Sequence, residues 1–332
     1  MAFYSYIFTA NYKRFFNKLK AVAKKENRSF LGLVLDTGWC VFRYGLALTD
    51  YLNYRIYARS AAERKRYAGV RMQNKFYETV SPSAYKTRFT VKPNFLESFA
   101  AYTGRTFVVP GEENFEEVRS FLESHEVFMS KPYDGLGGHG VEKVYTRDIP
   151  DFRAYHEQCV ANRIFLEELV VQHEGMNALC SASVNTMRVI TFNDHGKPRI
   201  LWMCLRVGNG VNAVDNFHVQ GMAVAIDMET GKLVGDAQDK DLRKFSHHPT
   251  TGVRFDGFRI PCFEQVKELV LRAATESDKI LVVGWDVAIS EKGPVLIEGN
   301  RRPGFDLVQV LDGRGRMDLM EDVLESLKRD HN

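Results

Sequence analysis

The chain has 332 residues, 45% of them hydrophobic and 26% charged, with a formal net charge of +3. That length suits two domains or one multilobed unit with a sizeable core, and the composition excludes a disordered or collagen-like chain. Five cysteines, at 40, 159, 180, 204 and 262, show neither a CxxC pair nor zinc-ligand spacing; with no membrane-length apolar run and no signal-like basic start before residues 3–10, a soluble cytoplasmic protein is expected.

Charge is placed unevenly. Residues 1–75 hold 15 Lys/Arg against 4 Asp/Glu, and the rest of the chain is net acidic. Residues 1–80 are predicted to be mostly helical, with breaks near Glu26-Asn27-Arg28 and Thr49-Asp50. Phe42, Tyr44, Leu46, Tyr51 and Tyr54 recur at the spacing of packed helices. The leading stretch NYKRFFNKLKAVAKKENR carries aromatics at Tyr12, Phe15 and Phe16. It reads either as a solvated helix with its rings on the body or as a segment resting on anionic lipid or another anionic partner. No nucleic-acid motif accompanies the charge, so nucleic acid is not expected.

Residues 92–101 form the next predicted helix and 106–110 a short strand. Asn114 caps a helix running to about residue 123, with Glu116 and Glu117 in its first turn. A strand, a Gly-rich loop and a strand cover 127–145; a helix covers 151–161 and a strand 164–171. Strands at 186–192, 199–207 and 222–227 make an antiparallel set, the first two joined by the turn Asn193-Asp194-His195-Gly196. A polar connection spans 236–260, an amphipathic helix 263–277, a hairpin 284–304 and a last helix 317–328. The mixture predicts an α+β fold with mainly antiparallel sheets.

The hairpin carries the clearest chemistry. Asp286 sits in its first strand, and Glu298 and Asn300 share one face at the end of the second. Two carboxylates and an amide oxygen on one wall suit Mg²⁺; the plainer alternative is a solvated hairpin. In Lys131-Pro132-Tyr133-Asp134-Gly135-Leu136-Gly137-Gly138-His139-Gly140, four glycines let backbone N–H groups wrap phosphate oxygens, and Lys131 can neutralise their charge. Neither a P-loop nor a dinucleotide fingerprint fits this stretch, and a plain turn is its rival reading. Glu167 and Glu168 point to opposite faces of one strand, so only one can enter a cleft, and that strand's end offers backbone groups to adenine. Arg188, in an apolar strand, needs an anion partner, phosphate ahead of an ion pair of the structure, with Arg206 its expected neighbour and Asn216 a further polar candidate.

Lys131 with its glycine loop, the Glu-Glu strand, SVNTMRV and the GWDVAI…GPVLIEGN hairpin together resemble the ATP-grasp superfamily. VDNFHVQGM and HHPTTGVRFDGFRIP narrow the likeness to its sugar-transfer-associated branch, linked with capsule and other polysaccharide biosynthesis. The resemblance covers roughly residues 70–315. It implies two α+β lobes gripping ATP between antiparallel sheets, preceded by a helical N-terminal region: 1–80 basic and helical, 81–165 the first lobe, 166–332 the second lobe with the Mg²⁺ site and C-terminal helix. It makes Lys131 a phosphate ligand with Gly135, Gly137, Gly138 and Gly140 in a flexible lid. Glu168, Leu169 and Val170 become the adenine hinge, Glu174 the nearest ribose candidate, and Arg188 a phosphate contact. Asp286, Glu298 and Asn300 become the Mg²⁺ ligands. The second ATP lysine is Lys92, with Lys75 as alternate, and Arg301 and Arg302 are candidate anchors for a substrate carboxylate. Implied is an ATP- and Mg²⁺-dependent carboxylate–amine ligase acting through an acylphosphate on a sugar acid or amino acid. A kinase on the same scaffold and a non-catalytic nucleotide-binding partner of a glycosyltransferase are the alternatives.

Overall fold

The computed structural model describes residues 11–134, 140–210 and 221–329. The chain folds as two compact units, one of residues 1–83 with 302–332, the other of 84–301.

The first unit is helical. Helix α1 (Tyr12–Lys25) starts where Asn11 Oδ1 accepts from Arg14 N at 2.9 Å. Helix α2 (Phe30–Tyr44) starts where Ser29 Oγ accepts from Gly32 N at 3.2 Å, and it ends on Gly45 at φ +66°. Short polar side chains satisfy the first free N–H groups of a helix, and glycine closes one at no Cβ cost. Phe15, Leu19 and Ala23 of α1 and Leu33, Thr37 and Cys40 of α2 are buried. Helix Val70–Val80 follows, and helices Phe305–Leu311 and Met317–Arg329 complete the unit from the far end of the chain. Buried Gln309 joins the two stretches: its Oε1 accepts from Ala68 N at 2.7 Å and its Nε2 donates to Ala68 O at 3.2 Å.

Two sheets make up the second unit. The smaller runs β1 (Phe107–Val108), β4 (Ile164–Glu168), β2 (Val127–Pro132), β3 (Glu142–Tyr145) across its width. Its core includes Val108, Val118, Phe121, Phe128 and Leu166, contributed by the sheet and by helix Phe115–Ser124. The larger has β5 (Thr186–Asp194), β6 (Lys197–Val207), β7 (Met222–Ile226), β8 (Leu233–Asp239), β9 (Lys244–Phe245), β10 (Val282–Ser290) and β11 (Gly293–Asn300). Their order is β11-β10-β5-β6-β7-β8-β9, antiparallel throughout. One face of the large sheet holds Met187, Val189, Trp285, Val287 and Ile289 in a common core with helix Phe263–Thr275. Trp285 is fully buried, its ring centroid 5.2 Å from that of Phe99, and its Nε1 donates to Thr191 Oγ1 at 2.8 Å. The opposite face carries the charges.

The predicted helices and hairpins recur with small differences at their ends, and two stretches differ more. The strand expected over 164–171 stops at Glu168, so 169–171 leave the sheet. The connection expected over 236–260 contains the end of β8 and all of β9; in β8, Val234, Gly235 and Asp236 are exposed, which erases the apolar alternation a strand would show. Between β5 and β6, His195 at φ +50° and Gly196 at φ +86° form the two-residue turn whose twist suits a hairpin.

Candidate active site

Register alone assembles one row of charge. Asp286 on β10 pairs with Glu298 on β11 and with Arg188 on β5, and Arg188 pairs with Cys204 on β6. Directly opposed residues share a face, as do residues two apart, so Asn300 and Arg206 extend the row at either end.

Asp286 is 1% exposed and holds two guanidinium groups. Arg188 donates from Nε to Oδ1 at 2.5 Å and from Nη2 to Oδ2 at 3.1 Å; Arg206 donates from Nη2 to Oδ2 at 2.8 Å. Arg206 also donates to Thr186 Oγ1 at 2.6 Å. Burial raises the Asp286 pKa, but the two arginines outweigh it and hold the carboxyl down at about 2. Glu298 moves the other way. Burial and then the charge of Asp286, within hydrogen-bond reach, push its carboxyl above the ordinary value, while Asn300 Nδ2 donates to Glu298 Oε1 at 3.1 Å. Two adjacent carboxylates thus share a site in which burial and the Asp286 charge disfavour the charged form of Glu298, a cost that a divalent cation relieves. Asp286, Glu298 and Asn300 fit Mg²⁺ on this ground. Among the described residues, no three His, Cys, Asp or Glu side chains gather into a metal-holding group, so the third donor of the set is an amide.

The small sheet brings its own cluster. Lys131 on β2 sits opposite Phe165 of β4 and forms an ion pair with Glu167, which is 3% exposed. Arg105, just before β1, donates from Nε to Glu167 Oε2 at 3.2 Å. The same guanidinium reaches the large sheet, donating to Leu296 O at 2.6 Å and Ile297 O at 3.2 Å. Burial pulls Glu167 up, but the Lys131 and Arg105 charges hold it below the ordinary carboxylate value. Lys92, at the start of helix Lys92–Ser98, donates to Pro132 O at 3.4 Å. Its ammonium is pulled down, first by burial and also by Lys131, against the pull of Glu298. Lys92 thus feels both Glu298 and Lys131, whereas Lys75 lies in the helical unit.

Other predicted positions fall around this cluster. Glu168 faces away from Glu167 and accepts from Thr106 N at 3.0 Å and Thr106 Oγ1 at 3.2 Å. With Leu169, Val170, Gly104, Arg105 and Lys292 it lines a cavity between the sheets. Glu174 is exposed in the first turn of helix Glu174–Leu179. Gly140, at φ +72°, packs against Pro132, while Gly135, Gly137, Gly138 and Asn216 lie outside the described residues. Arg301 is half-buried just after β11; Arg302 is exposed, its guanidinium 5.7 Å from the Tyr77 ring centroid. Sequence reasoning did not single out Arg105, and it left open which of Glu167 and Glu168 turns inward.

Comparison with known proteins gives three results. No curated protein matches the chain in sequence. Among solved structures, the ATP-grasp ligase PsnB in complex with a phosphomimetic variant of its minimal precursor, Mg and ADP shares 17% identity at a TM-score of 0.45; the match covers 77% of this chain and 66% of that one. D-alanine–D-alanine ligases from Helicobacter pylori and Bacillus anthracis share 13% each, at TM-scores of 0.40 and 0.43, covering 72% and 79% of this chain and 61% and 77% of theirs. The chain therefore spans slightly less than two thirds of the PsnB ligase it matches. The family described as sugar-transfer associated ATP-grasp matches residues 105–325, the stretch that holds both sheets and the whole charged row, and the chain belongs to that family.

Proposed function

We propose that the protein is an ATP- and Mg²⁺-dependent carboxylate–amine ligase. The observation that carries this reading is the pairing of two charged sets within one unit: Lys92, Lys131 and Glu167 by the small sheet, and Asn300, Glu298, Asp286, Arg188 and Arg206 on the large one. Cations set against a carboxylate pair are what a nucleotide triphosphate with a divalent ion requires. In this reading the two sheets act as lobes dividing near residue 165 and follow a basic helical region over 1–80; the C-terminal helix, expected in the second lobe, belongs to that helical unit instead.

Lys92 and Lys131 bind phosphate oxygens. Glu168, Leu169 and Val170 hold adenine, with Glu174 toward the ribose. Asp286, Glu298 and Asn300 hold Mg²⁺, which when bound neutralises charge on the transferring phosphoryl group. Arg188 turns from Asp286 to phosphate, and Arg301 orients the substrate carboxylate. The γ-phosphoryl group passes to a carboxylate oxygen with release of ADP. An amine nitrogen then attacks the acyl carbon, losing a proton as inorganic phosphate departs. In this reading a sugar acid or related carboxylate is joined to an amino acid or amine during surface polysaccharide biosynthesis, in the cytoplasm, with the basic N-terminal region resting on the anionic inner face of the membrane; the family's association with sugar transfer supports the sugar part of it alone.

Turnover of MgATP with pooled uronic acids and amino acids, with hydroxylamine as trap, tests the reading. ADP release with a hydroxamate product, lost in Glu298→Gln, is the expected result. A stable phosphorylated product without hydroxamate would instead identify a kinase, and nucleotide binding without turnover in any pool would point to a non-catalytic partner.

A further inference from the structure

Helix α2 is amphipathic in the wrong sense for a helix that only packs. Leu33, Thr37 and Cys40 face the core, yet Leu31, Leu35, Trp39 and Phe42 are 66, 67, 57 and 76% exposed. At about 100° per residue these four fall on one arc, from Leu31 to Trp39, and the charged residues Asp36 and Arg43 lie outside it. Single exposed apolar residues are ordinary; four large ones in a row on a helix mark a surface that is covered by something.

Charge beside the stripe says what covers it. Helix α1 carries Lys13, Arg14, Lys18, Lys20, Lys24 and Lys25 and no acidic residue. Its Phe16 ring packs 6.4 Å from that of Phe30, and Lys20 Nζ lies 5.8 Å from the same ring, so α1 borders the start of α2. Lys13, Lys20 and Lys24 share that side of α1 by helical spacing. Both acids between residues 11 and 44 are already paired, Glu26 with Arg55 at 3.4 Å and Asp36 with Arg64 at 2.6 Å. An exposed apolar face bordered by Lys13, Lys20 and Lys24 matches an anionic bilayer, where apolar side chains enter the acyl boundary and ammonium groups meet lipid phosphates. A second copy of the chain fits less well, because a two-fold contact through this patch sets one basic helix against its equal.

We infer that α2 inserts Leu31, Leu35, Trp39 and Phe42 into the surface of an anionic phospholipid bilayer, with α1 as its electrostatic border. This rests on the membrane reading above, in which the basic segment alone makes the contact, and deepens it. Trp39 is a built-in reporter, since the other two tryptophans, Trp202 and Trp285, are buried.

The experiment compares the full chain on phosphatidylcholine vesicles with and without phosphatidylglycerol, reading co-sedimentation and Trp39 emission, with brominated lipids as quenchers. Expected are a blue shift and quenching only with phosphatidylglycerol present. In the double variant Leu35→Asp, Phe42→Asp, binding should fall by about tenfold or more while circular dichroism and MgATP turnover are kept. Salt-sensitive binding without Trp39 quenching overturns the insertion and leaves the basic contact standing; absence of binding to either vesicle overturns both. Concentration-dependent dimerisation abolished by the double variant assigns the stripe to a second copy instead. Emission already blue in buffer, and red after deletion of residues 2–10, assigns it to the chain's own leading segment.

Discussion

Asp286 and Glu298 sit side by side yet are held in opposite ways, and their substitutions should separate. Removing the Asp286 carboxylate in Asp286→Ala leaves the Arg188 and Arg206 guanidiniums buried without their anion. Loss of one partner of a buried pair costs about 3–5 kcal/mol, and urea unfolding should show it. Glu298→Gln removes a carboxyl that Asp286 already disfavours in its charged form, so its unfolding midpoint should stay close to wild type or rise. Both variants should lose Mg²⁺-dependent ATP turnover by about 10²-fold or more, which detaches the catalytic effect from the structural one. Lys131→Met belongs with the tolerated changes, because Glu167 keeps Arg105 as its partner. It should raise the ATP concentration needed for half-maximal turnover by about tenfold, with little change in melting temperature.

At the scale of elements, β10 has two faces with separate duties. Its outward residue Asp286 belongs to the charged row, and its inward neighbour Trp285 fills the core among Phe89, Phe95 and Phe99. Trp285→Ala should cost about 3–5 kcal/mol by cavity formation. Trp285→Phe should cost less, yet it strands the Thr191 hydroxyl without its indole donor, worth about 1–3 kcal/mol for a buried group. Denaturant titration of the two variants distinguishes volume from hydrogen bonding. The hairpin was legible in the sequence because its acids, its turn and its apolar alternation all lie within 21 residues and depend only on strand period. The need of Arg188 for an anion was legible too; the sequence favoured phosphate over an ion pair, and the carboxylate it meets, Asp286, is 98 residues away and joined to it only by the pairing of β5 with β10. Strand period likewise separated Glu167 from Glu168 without saying which faces inward, because that depends on what packs on each side. Arg105 precedes its strand and belongs to no pattern, so only the fold shows it.

At the scale of the whole molecule, stability should carry a pH signature from the helical unit. Asp50 is buried, with Oδ2 accepting from Ala47 N at 2.7 Å. Burial, with the charge of Asp306 adding to it, pushes its carboxyl up to about 7. The unfolded chain releases that proton near pH 4, so between about pH 4 and pH 7 the folded state binds more protons, and stability falls as pH rises through that window. One proton held across the window is worth about 1.36 kcal/mol for each pH step of one, so the loss reaches about 4 kcal/mol. Asp50→Asn keeps an acceptor for the Ala47 N–H and should melt higher than wild type at pH 8, the difference closing toward pH 4. Thermal melts across that range check it. The last two helices join this unit through Gln309 and Ala68, 241 residues apart, a pairing that no local pattern in the sequence encodes.

Arg105 gives the two sheets a common anchor. One guanidinium grips Glu167 on the small sheet and the carbonyls of Leu296 and Ile297 on β11, next to Glu298. Lys131 pairs with the same Glu167, so both cations are anchored on one buried carboxylate. Loss of that one guanidinium would therefore take a buried partner from the small sheet and two carbonyl contacts from the large one together.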